Sequence, residues 1–229
     1  AIIAGKGHEK TQEYKDKKIF FSDRKEILKS IFNKNKTLSK DLRFNIIKEK
    51  SQKSLNNLYL NKAVINSNEI KKNDIFFAIK GKKNDGNKFI NQAFKKKASL
   101  AIVNRIDRKQ NILSQIKVKN TLNFLTECSQ IFRKNIKTKI IAITGSCGKT
   151  TLKELLGSAF KKLSKVSISQ KSFNNKFGVP LSLFNINQRD DYGVLELGMD
   201  KKGEIDYLSK IVQPDVSVIT NINYAHAKN

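Results

Sequence analysis

The sequence predicts an α/β protein whose second half holds a mostly parallel sheet, and three observations carry that reading. Ile140 to Ile143 is a short apolar run, read as a buried strand, that feeds the turn Thr144-Gly-Ser-Cys-Gly-Lys-Thr-Thr151. Behind the turn, Leu152, Leu155, Leu156, Ala159, Phe160 and Leu163 recur at i, i+3, i+4, i+7, i+8 and i+11. That spacing is one apolar face of a helix. Two later apolar runs, Gly193 to Leu197 and Val216 to Thr220, read as further buried strands. Strands of this kind with helices between them build parallel sheets.

A strand, a glycine turn and a helix in that order form the setting of a phosphate-binding loop. Gly145 and Gly148 let the backbone turn tightly and come close to an anion. N–H groups of the turn and of the helix N-terminus then point at phosphate oxygens. Lys149 supplies a cation for the β- and γ-phosphates, and the Thr150 hydroxyl suits Mg²⁺. Only Ser146 and Cys147 separate the two glycines, where the general motif has four residues. A bland surface turn is the alternative.

The remaining elements divide the chain into three segments. In residues 1–36, Ala1 to Ala4 reads as a strand, Gly5 to Glu9 as a turn, and Lys18 to Phe21 as a second strand. Asp23 with Glu26 three residues on is a helix-start signature, followed by Ile27, Leu28, Ile31 and Phe32 on one face. The polar stretch Asn33-Lys-Asn-Lys36 ends the segment. Residues 37–117 alternate a short helix near Leu42 to Ile47, a strand at Asp74 to Ile79, a helix bearing Phe89, Ile90, Ala93 and Phe94, and a strand at Leu100 to Val103. This is the pattern of a small α/β domain. Residues 118–229 open with a helix over about 121–133 and then enter the phosphate loop.

Ligands of open parallel sheets bind beyond the carboxyl ends of the strands. Glu196 lies near one such end, inside an apolar run where a carboxylate needs a partner. Either a Mg²⁺ ion bridging to phosphates or a lysine would serve. His226 follows the Val216 strand, and a lone histidine near a terminus is ordinary. Asn174 and Asn175, with Gly178 and Pro180, form a polar entry to a helix carrying Leu181, Leu183 and Phe184. Each is weak alone; their common position around one loop is the signal.

Composition excludes several classes. A formal charge of +26, from 46 basic and 20 acidic residues, points toward nucleic acid. The basic residues are spread throughout, with Lys, Asn and Ile abundant everywhere, as biased residue usage would give. Charge of this kind argues for solubility and non-specific binding, so no specific nucleic-acid partner is expected. Cys128 and Cys147 are too few for a disulfide framework or a zinc site, and Cys128 shares an apolar face with Leu125, Ile131 and Phe132. No apolar run approaches a membrane span and no secretory signal opens the chain, so the expectation is a cytoplasmic monomer without membrane insertion. A start at Ala1 without an initiator Met, and a stop in a loop at Asn229, read as a fragment.

Thr144 to Thr151, Asn174-Asn-Lys-Phe-Gly-Val-Pro180, Leu195-Glu-Leu-Gly198 and Thr220-Asn-Ile-Asn-Tyr-Ala-His226 resemble, in order and spacing, the Mur ligases of peptidoglycan synthesis. The shortened glycine spacing is the form that family uses. The similarity covers about 37–229 and is nearest to the member that joins D-alanyl-D-alanine to UDP-N-acetylmuramoyl-tripeptide. The resemblance implies that Gly145, Ser146, Cys147, Gly148, Lys149, Thr150 and Thr151 bind ATP, with Asn174 and Asn175 lining the cleft. It implies that Lys149, Glu196 and His226 are catalytic, and that Thr150, Glu196 and His226 help hold Mg²⁺. It makes residues 37–117 a uridine-diphosphate-binding domain, with contacts at Ser67, Asn68, Gly81, Asp85, Gly86 and Asn87, and residues 118–229 part of a P-loop domain. The family more often has an arginine where Asn68 stands and a histidine after the Asp-Gly pair, and Asn68 cannot offer a guanidinium to a phosphate.

The implied reaction activates a carboxylate as an acyl phosphate for attack by the amine of D-alanyl-D-alanine. Catalysis rests on positioning and on charge neutralisation. Residues 1–36 resemble the carboxyl-terminal end of the ligase one step earlier in the pathway, in Ala1-Ile-Ile-Ala-Gly-Lys-Gly-His-Glu9 and Ser22-Asp-Arg24. That likeness implies a diamino-acid contact at Gly5 and Glu9 and a junction between two ligases. The alternatives are a basic nucleic-acid-binding NTPase using the same loop, or a fragment that binds nucleotide and turns nothing over.

Overall fold

The computed structural model describes residues 11–14, 17–20, 42–53, 55, 60–81, 84–170 and 173–223. Strands β1 (Thr11–Tyr14) and β2 (Lys17–Phe20) pair antiparallel, with Thr11 opposite Phe20. Helix α1 (Leu42–Ser51) follows. The predicted strand at 1–4, the turn at 5–9, the helix over 23–32 and the break at 33–36 lie outside the described residues.

A first parallel sheet runs in sequence order β3 (Ala63–Val64), β4 (Ile75–Phe77), β5 (Leu100–Val103) and β6 (Gln115–Lys117), with α2 (Ile90–Lys95) between β4 and β5. Its strands are buried on both faces, as parallel strands covered by helices must be. Alternate residues divide between the faces. Ile75, Phe77, Leu100 and Ile102 join Phe44, Ile46 and Ile47 of α1 on one side. Phe76, Ala101 and Val103 meet Ile90 and Ala93 of α2 on the other.

Helix α3 (Thr121–Asn135) leads into the second sheet. Asn120 caps it by accepting from Asn123 N–H at 3.0 Å. The sheet contains β7 (Lys139–Thr144), β8 (Val166–Ile168), β9 (Tyr192–Glu196) and β10 (Val216–Ile219) in the order β10-β7-β9-β8, all parallel. Helix α4 (Lys149–Lys161) covers one face; α3, α5 (Gly178–Phe184) and α6 (Glu204–Val212) cover the other.

One hydrophobic core joins the two sheets. Phe184 of α5 packs edge-on to Phe132 of α3 at 5.6 Å and to Phe77 of β4 at 6.4 Å. Asn185 pairs with the outer edge of β3 as a neighbouring strand would. Its Oδ1 accepts from Ala63 N–H and its Nδ2 donates to Ala63 carbonyl, both at 2.8 Å. Cys128 is buried in this core, and burial pushes its thiol up to about 12.

Two sequence expectations need correction. The six-residue apolar face of the helix after the loop is only half buried: Leu152, Leu156 and Phe160 pack on the sheet, but Leu155 is 63% exposed and Leu163, past the helix end, 83%. Lys153 and Gly157 are the fully buried positions of α4. A Cβ on Gly157 would sit 2.1 Å from Ile168 Cδ1, so this glycine lets the helix close on β8 and turns Leu155 outward. The strand at Val216 is also not buried. Among the described residues β10 is an edge strand, and its side chains are largely exposed.

Candidate functional site

The carboxyl ends of β7, β9 and β10 converge on residues 145–148. Gly145 has φ +132°, and a Cβ there would lie 2.2 Å from Thr220 Oγ1. Gly148 has φ +78° and caps α4 in the left-handed region, with open space where a Cβ would be. The first glycine is therefore required by crowding and conformation, the second by conformation alone.

The segment after β10 pins the loop. Ser146 N–H donates to Asn221 carbonyl at 3.1 Å and Cys147 N–H to Asn221 Oδ1 at 2.9 Å. Ser146 Oγ donates to Asn223 carbonyl and accepts from Asn223 N–H, both at 2.9 Å. Thr220 Oγ1 donates to Cys147 carbonyl. Lys149 folds back, its Nζ donating to the carbonyls of Gly145 at 2.6 Å and Ser146 at 3.1 Å. Its ammonium is thus held over the loop, where a phosphate would lie against the first turn of α4. That turn carries N–H groups that no helical carbonyl can satisfy.

Glu196 ends β9 with its side chain 2% exposed. Oε2 accepts from Thr150 Oγ1 at 2.8 Å and Oε1 from Asn174 Nδ2 at 2.9 Å. Lys153 Nζ lies 3.8 Å from Oε2. The backbone N–H of Glu196 donates to Ser169 Oγ at 3.2 Å. Asn174 is itself fixed, because Gly198 N–H donates to its carbonyl at 2.7 Å and a Cβ on Gly198 would strike its amide. Thr150 and Glu196 thus present a hydroxyl and a carboxylate side by side. Such hard oxygen donors fit Mg²⁺. Both sequence readings of Glu196 survive, since the paired lysine is present as well.

The remaining expected residues differ in their surroundings. Asn175 does not face the loop: its Oδ1 accepts from Phe177 and Gly178 N–H at 3.0 Å and caps α5. Thr151 is exposed on α4 and Cys147 is an exposed free thiol. His226, Gly5 and Glu9 lie outside the described residues. Lys153, Ser169 and Asn221 were missed as parts of the site. Asn221 stood inside the motif at 220–226, and Lys153 carried a signal one helical turn after Thr150 and so on the same face.

A second polar cluster occupies the carboxyl ends of the first sheet. Ser67 Oγ donates to Gln92 Oε1 at 2.7 Å, Gln92 Nε2 to Asn68 Oδ1 at 2.9 Å, and Lys96 Nζ to Asn68 carbonyl at 2.6 Å. After β4, Asp85 accepts from Asn87 N–H at 3.0 Å, Asn87 Nδ2 at 2.8 Å and the Arg105 guanidinium at 3.2 Å. The bonds from Asn87, helped by Arg105 and Lys80, hold the Asp85 carboxyl below its ordinary range. Gly86 is wedged against the backbone of Ala78 and Ile79, where a Cβ would approach to 2.6 Å. Gly81 closes the preceding turn, its N–H donating to Asn84 carbonyl at 2.8 Å. Lys96, not anticipated, places a cation beside Asn68, and Arg105, also not anticipated, places one beside Asp85.

Residues 143–229 match the Mur ligase middle domain. The UDP-N-acetylmuramoyl-tripeptide--D-alanyl-D-alanine ligase of Buchnera aphidicola (subsp. Acyrthosiphon pisum) is 41% identical over 169 residues, covering 74% of this chain and 37% of that protein. The crystal structure of MurF from Acinetobacter baumannii superposes with a TM-score of 0.68 at 34% identity, covering 80% of this chain and 41% of the other. MurF ligase from Thermotoga maritima in complex with ADP gives a TM-score of 0.62 at 32% identity, covering 75% and 40%. The chain therefore spans well under half the length of these relatives. The loop from β7 to α4, the buried Glu196 and these likenesses agree: the chain belongs to the Mur ligase family.

Proposed function

We propose that this chain supplies the nucleotide-phosphate site and the uridine-nucleotide end of an ATP-dependent ligase that joins D-alanyl-D-alanine to UDP-N-acetylmuramoyl-tripeptide. The observation that carries the reading is the set Thr150, Glu196 and Asn174 assembled over a glycine loop at the start of α4. Its 41% identical relative bears the name of that ligase, and a 32% identical one was crystallised with ADP. The domain reading, 37–117 for the uridine nucleotide and 118–229 for ATP, follows the two separate parallel sheets.

Residues 145–151 wrap the ATP phosphates, but the N–H groups of Ser146 and Cys147 are already given to Asn221, so the first turn of α4 supplies the N–H donors and Lys149 exchanges its loop carbonyls for phosphoryl oxygens. Thr150 and Glu196, with His226, would hold Mg²⁺, which would supply charge neutralisation at the phosphates. Asn174 keeps Glu196 in place beside the phosphates. A carboxylate oxygen of the tripeptide attacks the γ-phosphorus and ADP leaves. The amine of D-alanyl-D-alanine then attacks the acyl carbon, expels inorganic phosphate and loses a proton. Ser67, Asn68, Gly81 and residues 85–87, with Lys96 and Arg105, hold the uridine diphosphate. Gly5 and Glu9 belong to a carboxyl-terminal remnant of the preceding ligase.

The direct test is ligation by the full-length protein, read as phosphate released only when ATP, UDP-N-acetylmuramoyl-tripeptide and D-alanyl-D-alanine are all present. E196Q is expected to lower kcat about a hundredfold or more, the scale set by loss of a charged group acting in the transition state. Phosphate release without dependence on the dipeptide contradicts the reading.

A further inference from the structure

Glu196 receives Thr150 and Asn174 on separate oxygens, and a third group faces it. Lys153 follows Thr150 by one turn of α4, so both side chains leave the same helix face toward β9. Lys153 Nζ lies 3.8 Å from Glu196 Oε2 and 3.3 Å from Glu154 Oε1, and its side chain is fully buried. Glu154 is 61% exposed and its charge is shared with solvent, whereas Glu196 is 2% exposed. Lys153 and Glu196 are therefore a buried pair of opposite charges, either of which would be costly to bury alone.

At 3.8 Å this contact is one of charge rather than a hydrogen bond. Thr150 and Asn174 already orient the carboxylate, so Lys153 adds a neutralising charge. That charge stands close to the oxygen a divalent cation would use. Among the described residues no group of three or more His, Cys, Asp or Glu side chains gathers to hold a metal, so Glu196 does not stand in a ready-made acidic cage. The phosphates of a nucleotide on the loop would bring further anionic oxygens to this site.

Resting on the reading of that loop as an ATP site, we propose that Lys153 is a positioning residue that makes divalent-metal binding at Thr150 and Glu196 conditional on bound nucleotide. By neutralising Glu196, it keeps the empty site from holding a metal and leaves the carboxylate competent once phosphate oxygens add their charge. The metal then arrives with the nucleotide rather than ahead of it.

The test is titration of this chain with Mn²⁺, followed by the loss of the free-ion electron paramagnetic resonance signal, with and without ADP, each read as the loss beyond that of the same Mn²⁺ and ADP mixture without protein. The unmodified chain is expected to take up Mn²⁺ below millimolar concentrations only when ADP is present. K153M fills the same space without charge and is expected to bind Mn²⁺ without nucleotide at least tenfold more tightly. K153R, which keeps the charge, behaves as the unmodified chain, and the double change K153M/E196Q abolishes the gain. If K153M fails to fold by circular dichroism, K153Q is read in its place. Micromolar Mn²⁺ binding by the unmodified chain without ADP overturns the proposal, as does a nucleotide-free affinity unchanged by loss of the Lys153 charge. No Mn²⁺ uptake even with ADP instead overturns the ATP-site reading. Nucleotide-linked uptake with unchanged K153M affinity rejects the role of Lys153 alone.

Discussion

Gly145 and Gly148 differ in what they tolerate, and that difference is measurable. G145A places a Cβ 2.2 Å from Thr220 Oγ1 on a backbone at φ +132°, so the loop must move away from the segment that pins it. G148A meets only the left-handed penalty of about 1–2 kcal/mol, with open space around the new methyl. Urea unfolding is expected to show the larger loss for G145A; equal losses contradict the geometry. Asp85 gives a pH signature. Its carboxyl is held low in the folded state by Asn87, so the folded protein binds fewer protons than the unfolded chain in the acid range. Its contribution is present above the unfolded carboxylate range and is lost as pH falls through the lowered folded value. D85N should flatten that part of the dependence, and a midpoint-versus-pH profile identical to the unmodified chain would refute it. At this scale the loop glycines, Lys149, Thr150 and Glu196 were legible because their chemistry is local. Lys153 was not, because a lysine on a helix reads as solvated until the helix is rotated onto its sheet.

Among the elements, α4 and α5 show where periodicity informs and where it misleads. The leucine spacing of α4 identified a helix but assigned Leu155 to its buried face. Close approach at Gly157, against Ile168, decided the rotation instead, and no one-dimensional pattern contains that contact. L155E is therefore expected to change stability by no more than about 0.5 kcal/mol, the usual range for an exposed site. F184A, at the centre of the three-ring contact, is expected to cost about 3–5 kcal/mol. Thermal unfolding of the two variants tests the order, and a larger loss for L155E would contradict it. The strands at Leu100–Val103 and Tyr192–Glu196 were legible as apolar runs. Ala63–Val64, Gln115–Lys117 and Val166–Ile168 were not, because strands this short take their pairing from neighbours rather than from their own residues.

For the whole molecule, the two parallel sheets place their polar clusters at strand carboxyl ends and are tied together by Phe184 and Asn185. The fold class was readable because both sheets alternate apolar runs with helices. The way they meet was not, since the Asn185–Ala63 pairing joins residues 122 apart. The charge of +26 proved uninformative about the site, which is built from one buried carboxylate, its neighbours and a backbone turn. The account depends on that turn binding nucleotide phosphates through Lys149. Its most direct test is calorimetric titration of Mg-ATP into this chain and into K149A. Saturable binding to the unmodified chain is expected, weakened about tenfold or more in K149A with circular dichroism unchanged, the effect of losing one charge-assisted contact. Equal affinity in the two, or no binding to the unmodified chain, would contradict it.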